Sequence, residues 1–275
     1  MGKRSKIVGG ILVFAMLVGN LMGCGVKEET VSTKTTSDAT QDEADNAEKT
    51  VQGQEKENVA EVETELSEEN TEHVDGQTTL TYIGHASVKI VAADGTVLYI
   101  DPNYAQGDYS DKADYILVTH GHSDHQPHPS LELKEDGQLI TYEEALVDGE
   151  YKNYDFGNIQ IETVAAGGNP NHNVDSCVGY LVTVDGVKIY HAGDTSMIEQ
   201  MNNLTSQNID YAMYPIDGTY NMDATEATEV ANLVAAKNNI PIHEYDVPGK
   251  KKSDAFQPEG RMLLEYGETI VVKEN

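Results

Sequence analysis

From residue 78 onward, short apolar runs alternate with turn residues at the spacing of strands. Runs at 79–83, 88–92 and 97–100 are separated by turn residues such as Asp94-Gly95. Residues 115–119 form a continuous apolar run, the pattern of a strand buried on both faces, and it stops at His120. Short helical pieces are predicted near Leu131 and over 142–147. Strand patterns resume at 159–164 and 178–184, Asp185-Gly186 supplies a hairpin turn, and 187–190 runs into His191-Ala192-Gly193-Asp194. A further strand is predicted at 210–214. Asp223 then has the character of an N-cap, with Glu226 three residues on, as in a capping box. The helix it opens carries Ala224, Ala227, Ala231, Val234 and Ala235 on one side. A short strand ending at His243, a helix around 256–265 and a strand at 269–272 complete the pattern. Strands and helices alternating after a strand-rich start predict an α/β or mixed α+β domain with at least two sheets.

The pattern before residue 78 has different physics. Lys3, Arg4 and Lys6 precede an apolar run over 7–22, interrupted by Gly9, Gly10, Gly19 and Asn20. This run is too short and glycine-rich for a comfortable membrane span and fits a secretory signal. It ends in Leu21-Met22-Gly23-Cys24, which resembles the lipobox of bacterial lipoproteins. The resemblance implies acylation of Cys24, attachment to membrane lipid, and a place on the outer face of the bacterial cytoplasmic membrane or its periplasmic side. An ordinary signal peptide or an uncleaved anchor is the alternative. Residues 25–77 hold 16 acidic and 4 basic residues and almost no large apolar side chains, so they read as an extended, disordered tether. Its Glu-rich part, 61–72, has transient helix character, and His73 within it is expected to be solvated. The expected organisation is therefore a signal over 1–24, a tether over 25–77 and a folded domain over 78–275.

Charge narrows the partners. The chain of 275 residues carries a formal net charge of −29, from 18 Lys+Arg against 47 Asp+Glu. Nucleic acid is excluded as a partner, because that affinity comes from basic side chains neutralising phosphates. Arg4 and Arg261 are the only arginines, which argues against a bidentate arginine clamp. The segment 78–275 is itself acidic, with 31 acidic and 11 basic residues. Lys250-Lys251-Lys252 is its one basic cluster, read first as a solvated loop and second as a rim facing an anionic substrate. With Cys24 assigned to acylation, Cys177 has no disulfide partner and is expected to be a buried free thiol.

The strongest chemical signal is His120-Gly121-His122-Ser123-Asp124-His125, four potential metal ligands within six residues directly after an apolar strand. A strand end aims such side chains, and the following loop can wrap them around ions. Imidazoles suit Zn²⁺, Mn²⁺ or Fe, and the carboxylate adds a harder ligand. This H-x-H-x-D-H resembles the metallo-β-lactamase superfamily. Further matches follow in order: Tyr82-Ile83-Gly84-His85, similar to the branch that includes L-ascorbate 6-phosphate lactonase, then Ile100-Asp101-Pro102, Gly179-Tyr180-Leu181, Ile189 through Thr195, Pro215 through Gly218, Met222 through Ala227, and Pro241-Ile242-His243.

The resemblance implies a four-layer αββα sandwich and two divalent ions, zinc before manganese or iron. It implies that His120, His122 and a third histidine hold the first ion, that Asp124, His125 and His243 hold the second, and that Asp194 bridges them. His172 is the best-placed third histidine; His128, stiffened between Pro127 and Pro129, is the alternative, as is a vacant position. His85 is either an orienting partner of the ligands or a structural hydrogen bond in the first turn, and Asp217 either touches substrate or caps a turn. His191 is expected to be a packed strand residue. Two such ions share and acidify a water, giving hydroxide as the nucleophile, with Asp124 and Asp194 as catalytic carboxylates. No G-x-S-x-G is present. The expected function is thus a lipid-anchored hydrolase of a small-molecule ester, lactone, amide or phosphoester. A lipoprotein that keeps metal without turnover is the alternative.

Overall fold

The structure is a computed structural model that describes residues 76–244 and 251–274. The expected signal with Cys24, the tether up to residue 75 with His73, and Lys250 lie outside the described residues. The described strands in chain order are β1 (Thr79–Gly84), β2 (Ser87–Val91), β3 (Val97–Ile100), β4 (Ala113–Val118), β5 (Leu133–Thr141), β6 (Leu146–Val147), β7 (Glu150–Tyr151), β8 (Asn153–Asp155), β9 (Ile159–Ala165), β10 (Val178–Val184), β11 (Val187–His191), β12 (Tyr211–Pro215), β13 (Asn238–Ile242) and β14 (Glu268–Val271). Two α-helices join them, α1 (Tyr142–Ala145) and α2 (Ala224–Val234). The first sheet has the order β14-β1-β2-β3-β4-β5 and the second β13-β12-β11-β10-β9-β8. The molecule is the mixed α+β domain expected from the pattern, with two sheets facing each other as the family resemblance implies.

Strand alternation explains the layers. Val178, Tyr180, Val182 and Val184 of β10 meet Leu80, Val88, Ile90, Leu98, Ile100 and Leu117 of the first sheet in a dry core between the sheets. Leu181 of β10 points the other way, with Tyr190, Ala212 and Tyr214, into a second cluster roofed by Ala227, Val230, Ala231 and Val234 of α2. The outer face of the first sheet (Tyr99, Ile116, Val118) packs against Tyr104 and Tyr109 from the β3–β4 loop.

Direction positions the site. β1, β3 and β4 run the same way, since β1–β2 and β2–β3 are antiparallel and β3–β4 is parallel. β11, β12 and β13 are mutually parallel. The carboxyl ends of these strands form one rim, the usual place for a ligand outside a parallel sheet. At the opposite end of β1, Thr78 accepts a backbone hydrogen bond from Val272 (2.9 Å) and its hydroxyl donates to Asp185 (2.6 Å).

Some local expectations differ from the structure. No helix forms over 256–265; a 3₁₀ turn at Lys252–Ala255 is followed by extended chain, in which Arg261 bridges Asn239 beside β13. Pro258 and Gly260 disfavour helix there, and Gly260 sits at φ 66° with a Cβ position blocked by the Lys237 carbonyl. Leu131 lies in a turn closed by its N–H to the His128 carbonyl (2.9 Å). The helix expected over 142–147 stops at Ala145. Asp223 does cap α2, accepting from the Thr225 and Glu226 amides, but Glu226 does not reach back to it; its carboxylate accepts from the Met197 amide (2.8 Å).

Candidate metal centre

The histidines and carboxylates singled out from sequence arrive at the rim from separate strand ends. His85 follows β1; His120, His122, Asp124 and His125 follow β4; Asp194 follows β11; Asp217 follows β12; His243 follows β13. His172 comes from the β9–β10 loop, where its backbone N–H meets the Asn169 carboxamide oxygen (3.0 Å).

Asp194 lies at the centre. Its Oδ2 is 3.3 Å from His172 Nε2, 3.3 Å from His243 Nε2 and 4.0 Å from His120 Nε2, while its Oδ1 is 3.5 Å from His125 Nε2. On one side, the ligand-type atoms of His120, His122 and His172 lie within 4.8 Å of one another. On the other, those of Asp124, His125, His243 and His85 do the same. His128 is elsewhere, stacked on Tyr109 and bonded to Ser130. His191 is a packed strand residue, with Nε2 at the Ala86 carbonyl (2.9 Å) and Nδ1 accepting from the Gly193 amide.

The tautomers are set from behind. His125 Nδ1 donates to Asp101 Oδ2 at 2.7 Å. The Thr119 hydroxyl donates to the same oxygen (2.7 Å) and meets His120 Nδ1 at 3.1 Å. Asp217 Oδ2 faces His243 Nδ1 at 3.2 Å. In each case Nε2 is left aimed inward, the arrangement typical of metal-bound histidine backed by a carboxylate. Asp101 and Thr119 were not singled out from sequence as orienting groups. The available signal was an acid placed directly after an apolar strand, in Ile100-Asp101-Pro102.

Backbone conformation carries part of the geometry. His85, Asp101 and His243 are held at φ 56°, 47° and 54°, the left-handed region that non-glycine residues seldom occupy. The His243 amide donates to the His85 carbonyl (2.8 Å), so two of these residues hold each other. Gly193, at φ 62°, lets Asp194 approach: a Cβ there would lie 2.6 Å from the Val178 carbonyl oxygen.

The electrostatics fit cations. His120 Nε2 and His125 Nε2 are buried with no hydrogen-bond partner, a costly condition that an ion between the side chains would relieve. Burial and the neighbouring His125 push the His120 imidazole down to about 3, leaving it neutral and able to ligate. Burial opposes ionisation of Asp194, but the surrounding histidines, His125 first, hold it well below the usual carboxylate range. Asp124 is likewise lowered, chiefly by its 3.1 Å hydrogen bond to His85. The donor set is nitrogen-rich with two carboxylates, which suits zinc and its borderline neighbours. A pocket of about 330 Å³ opens over it, bordered by His122, Asp124, Asn171, His172, Tyr220 and His243 among others.

Comparison with known proteins assigns the family. The family described as "Beta-lactamase superfamily domain" matches residues 79–243. A UPF0173 metal-dependent hydrolase of Shouchella clausii (strain KSM-K16) is 30% identical over 227 residues, covering 70% of this chain and 98% of the relative. One from Methanoregula boonei is 34% identical over 194 residues, covering 64% of this chain and 86% of the relative. Among solved structures, one from Parabacteroides distasonis ATCC 8503 superposes with a TM-score of 0.56 at 28% identity, covering 68% of this chain and 91% of that one. Igni18, a metallo hydrolase from Ignicoccus hospitalis, shares the fold at a TM-score of 0.55 and 20% identity, over 72% of this chain and 99% of its own. This chain belongs to the metallo-β-lactamase superfamily, within the UPF0173 family of metal-dependent hydrolases.

Proposed function

We propose that the protein is a lipid-anchored hydrolase that uses two divalent ions, zinc first, on a small-molecule ester, lactone, amide or phosphoester. The observation that carries this reading is the convergence on Asp194 of two ligand clusters, each with Nε2 atoms aimed inward. His120, His122 and His172 would hold one ion, Asp124, His125 and His243 the other, and Asp194 both. When bound, such ions supply an acidified water and a Lewis acid for the bond under attack.

The chain's own residues do the rest. Asp101 and Asp217 fix the imidazole orientations that define the site. Asp124, 44% exposed at the pocket, is positioned to orient the attacking water through its free lone pairs while His85 holds its Oδ2. Burial of His120, His125 and Asp194 keeps solvent from competing for the ligands. The narrower reading, a substrate like that of L-ascorbate 6-phosphate lactonase, draws support from Tyr82-Ile83-Gly84-His85 alone, and the acidic charge of the domain weighs against a phosphosugar.

The test is elemental analysis of the metal-replete protein, followed by an ester, lactone, amide and phosphoester panel. About two metals per chain are expected, with activity lost on chelation and in Asp194→Ala and His122→Ala. Absence of stoichiometric metal overturns the site; full occupancy with a silent panel favours a metal-binding module. Attachment to lipid is tested separately by labelled palmitate, whose incorporation Cys24→Ala should abolish.

A further inference from the structure

The ligand clusters explain the reaction centre but not the wall of the pocket beside it. That wall is the loop between β12 and α2, and it is tightly built. Buried Asp217 accepts from the amides of Thr219 and Tyr220 (2.7 Å each) through Oδ1 and from the Asn221 carboxamide (2.7 Å) through Oδ2. The Gly218 amide reaches the Met222 carbonyl (3.0 Å), and the Met222 amide reaches the Thr195 carbonyl next to Asp194 (3.2 Å). One short loop is thus tied to His243 through Asp217 and to the Asp194 segment through Met222. At its tip the Tyr220 side chain borders the pocket and remains 49% exposed.

A half-exposed aromatic ring on a loop with this many constraints is not explained by core packing. Asn171, a neutral hydrogen-bonding side chain, borders the same pocket. Among the described residues bordering the pocket there is no lysine or arginine. Among the described residues of the neighbouring segment, Lys252 Nζ donates to the Asp217 carbonyl, Lys251 pairs with Glu265 at 3.6 Å, and Arg261 donates to the Ser253 carbonyl at 2.8 Å. Among the described lining residues, negative substrate charge beyond the reacting bond would find no cationic side chain, and it would meet an acidic domain on approach.

We propose that Tyr220 is the specificity-determining residue of the pocket, a platform for the non-reacting part of a neutral, apolar or aromatic ester or lactone, with Asn171 taking a hydrogen bond from or to that part. This rests on the hydrolytic reading above and narrows its substrate class. An aromatic face is suited to the role because it covers apolar area with little rotamer freedom to lose.

The test compares 4-nitrophenyl butyrate with 4-nitrophenyl phosphate on the metal-replete full chain. The neutral ester should show a KM lower by about tenfold or more, the scale on which one apolar contact discriminates. Tyr220→Ala should raise its KM by about tenfold with kcat nearly unchanged, the signature of binding shared by ground and transition states, while Tyr220→Phe keeps the wild-type value. A second readout does not need turnover. The chain has no tryptophan, so Tyr220→Trp places a sole indole at the rim. Neutral 4-nitrobenzyl alcohol should quench it saturably, whereas 4-nitrobenzyl phosphate should quench only in proportion to concentration. Tighter use of the phosphoester, or an unchanged KM in Tyr220→Ala, overturns the inference and leaves the hydrolytic reading intact. Silence of both substrates with no saturable quenching overturns the inference, and silence of the whole panel at full metal occupancy overturns the hydrolytic reading as well.

Discussion

Asp101 shows how much of the centre depends on a residue that binds no ion in the proposed assignment. It is fully buried, and it holds His125 directly and His120 through Thr119. Burial alone would raise its carboxyl, but the adjacent His125 and their hydrogen bond keep it below the usual range, so it is ionised and an acceptor. Since the two histidines belong to different clusters, Asp101→Asn should weaken both ions at once, each by about 10- to 100-fold, as measured by chelator competition. Cys177 offers a contrasting case. Burial first, and the Asp194 charge second, push its thiol up to about 12, so it stays protonated through neutral and mildly alkaline pH. In a Cys24→Ala chain, iodoacetamide at pH 8 should leave Cys177 unlabelled until the protein is unfolded, because the thiolate is the nucleophile and this one neither forms nor is exposed. The ligand-type residues were legible from sequence because their spacing is short and chemical. Asp101 was not, because its role depends on which strand lies next to β4, a fact of sheet order rather than of local pattern.

At the level of elements, legibility follows burial. The runs that became β1, β3, β9 and β10 were readable because each presents buried positions at a period of two, or at every position. β5 was missed for the opposite reason. It is an edge strand whose first seven residues are mostly exposed, and Lys134, Glu135, Asp136 and Gly137 give it the composition of a loop. The short strands β6, β7 and β8 are two or three residues long, too short to carry a period. The start of α2 was legible through its cap, and the cap's strength is measurable. Asp223→Ala removes the acceptor for two amides and should cost about 1 kcal/mol in denaturant unfolding, with Asp223→Asn retaining most of that. Glu226 shows the limit of motif reading. The spacing matched a capping box, but the glutamate spans to Met197 and so ties α2 to the segment that follows Asp194.

For the molecule as a whole, the described fold is two sheets joined by a dry core, with the reactive groups gathered at one rim. The inward-facing nitrogens there are a liability without cations, because buried polar atoms lacking partners cost free energy. Ligation therefore adds to folding stability as well as to chemistry. With free Zn²⁺ at about a hundred times its Kd, the stability of the domain should rise by about 2.7 kcal/mol for each such site, seen as a higher Tm that excess chelator reverses. An unchanged Tm under metal would argue that the clusters are satisfied by hydrogen bonding alone.

The direction of β1 has a further consequence. The chain enters the sandwich at Thr78, where Asp185 and Val272 receive it, and arrives six residues later at Gly84 beside His85. That strand spans about 20 Å, most of the depth of a small domain. The described unit therefore has two unlike ends: the start of β1 is held by Asp185 and Val272 at one, and the histidine and carboxylate cluster lies at the other. A substitution at Thr78 or Asp185 therefore acts at the end of β1 remote from the ligands and should leave metal affinity within about twofold, as measured by chelator competition.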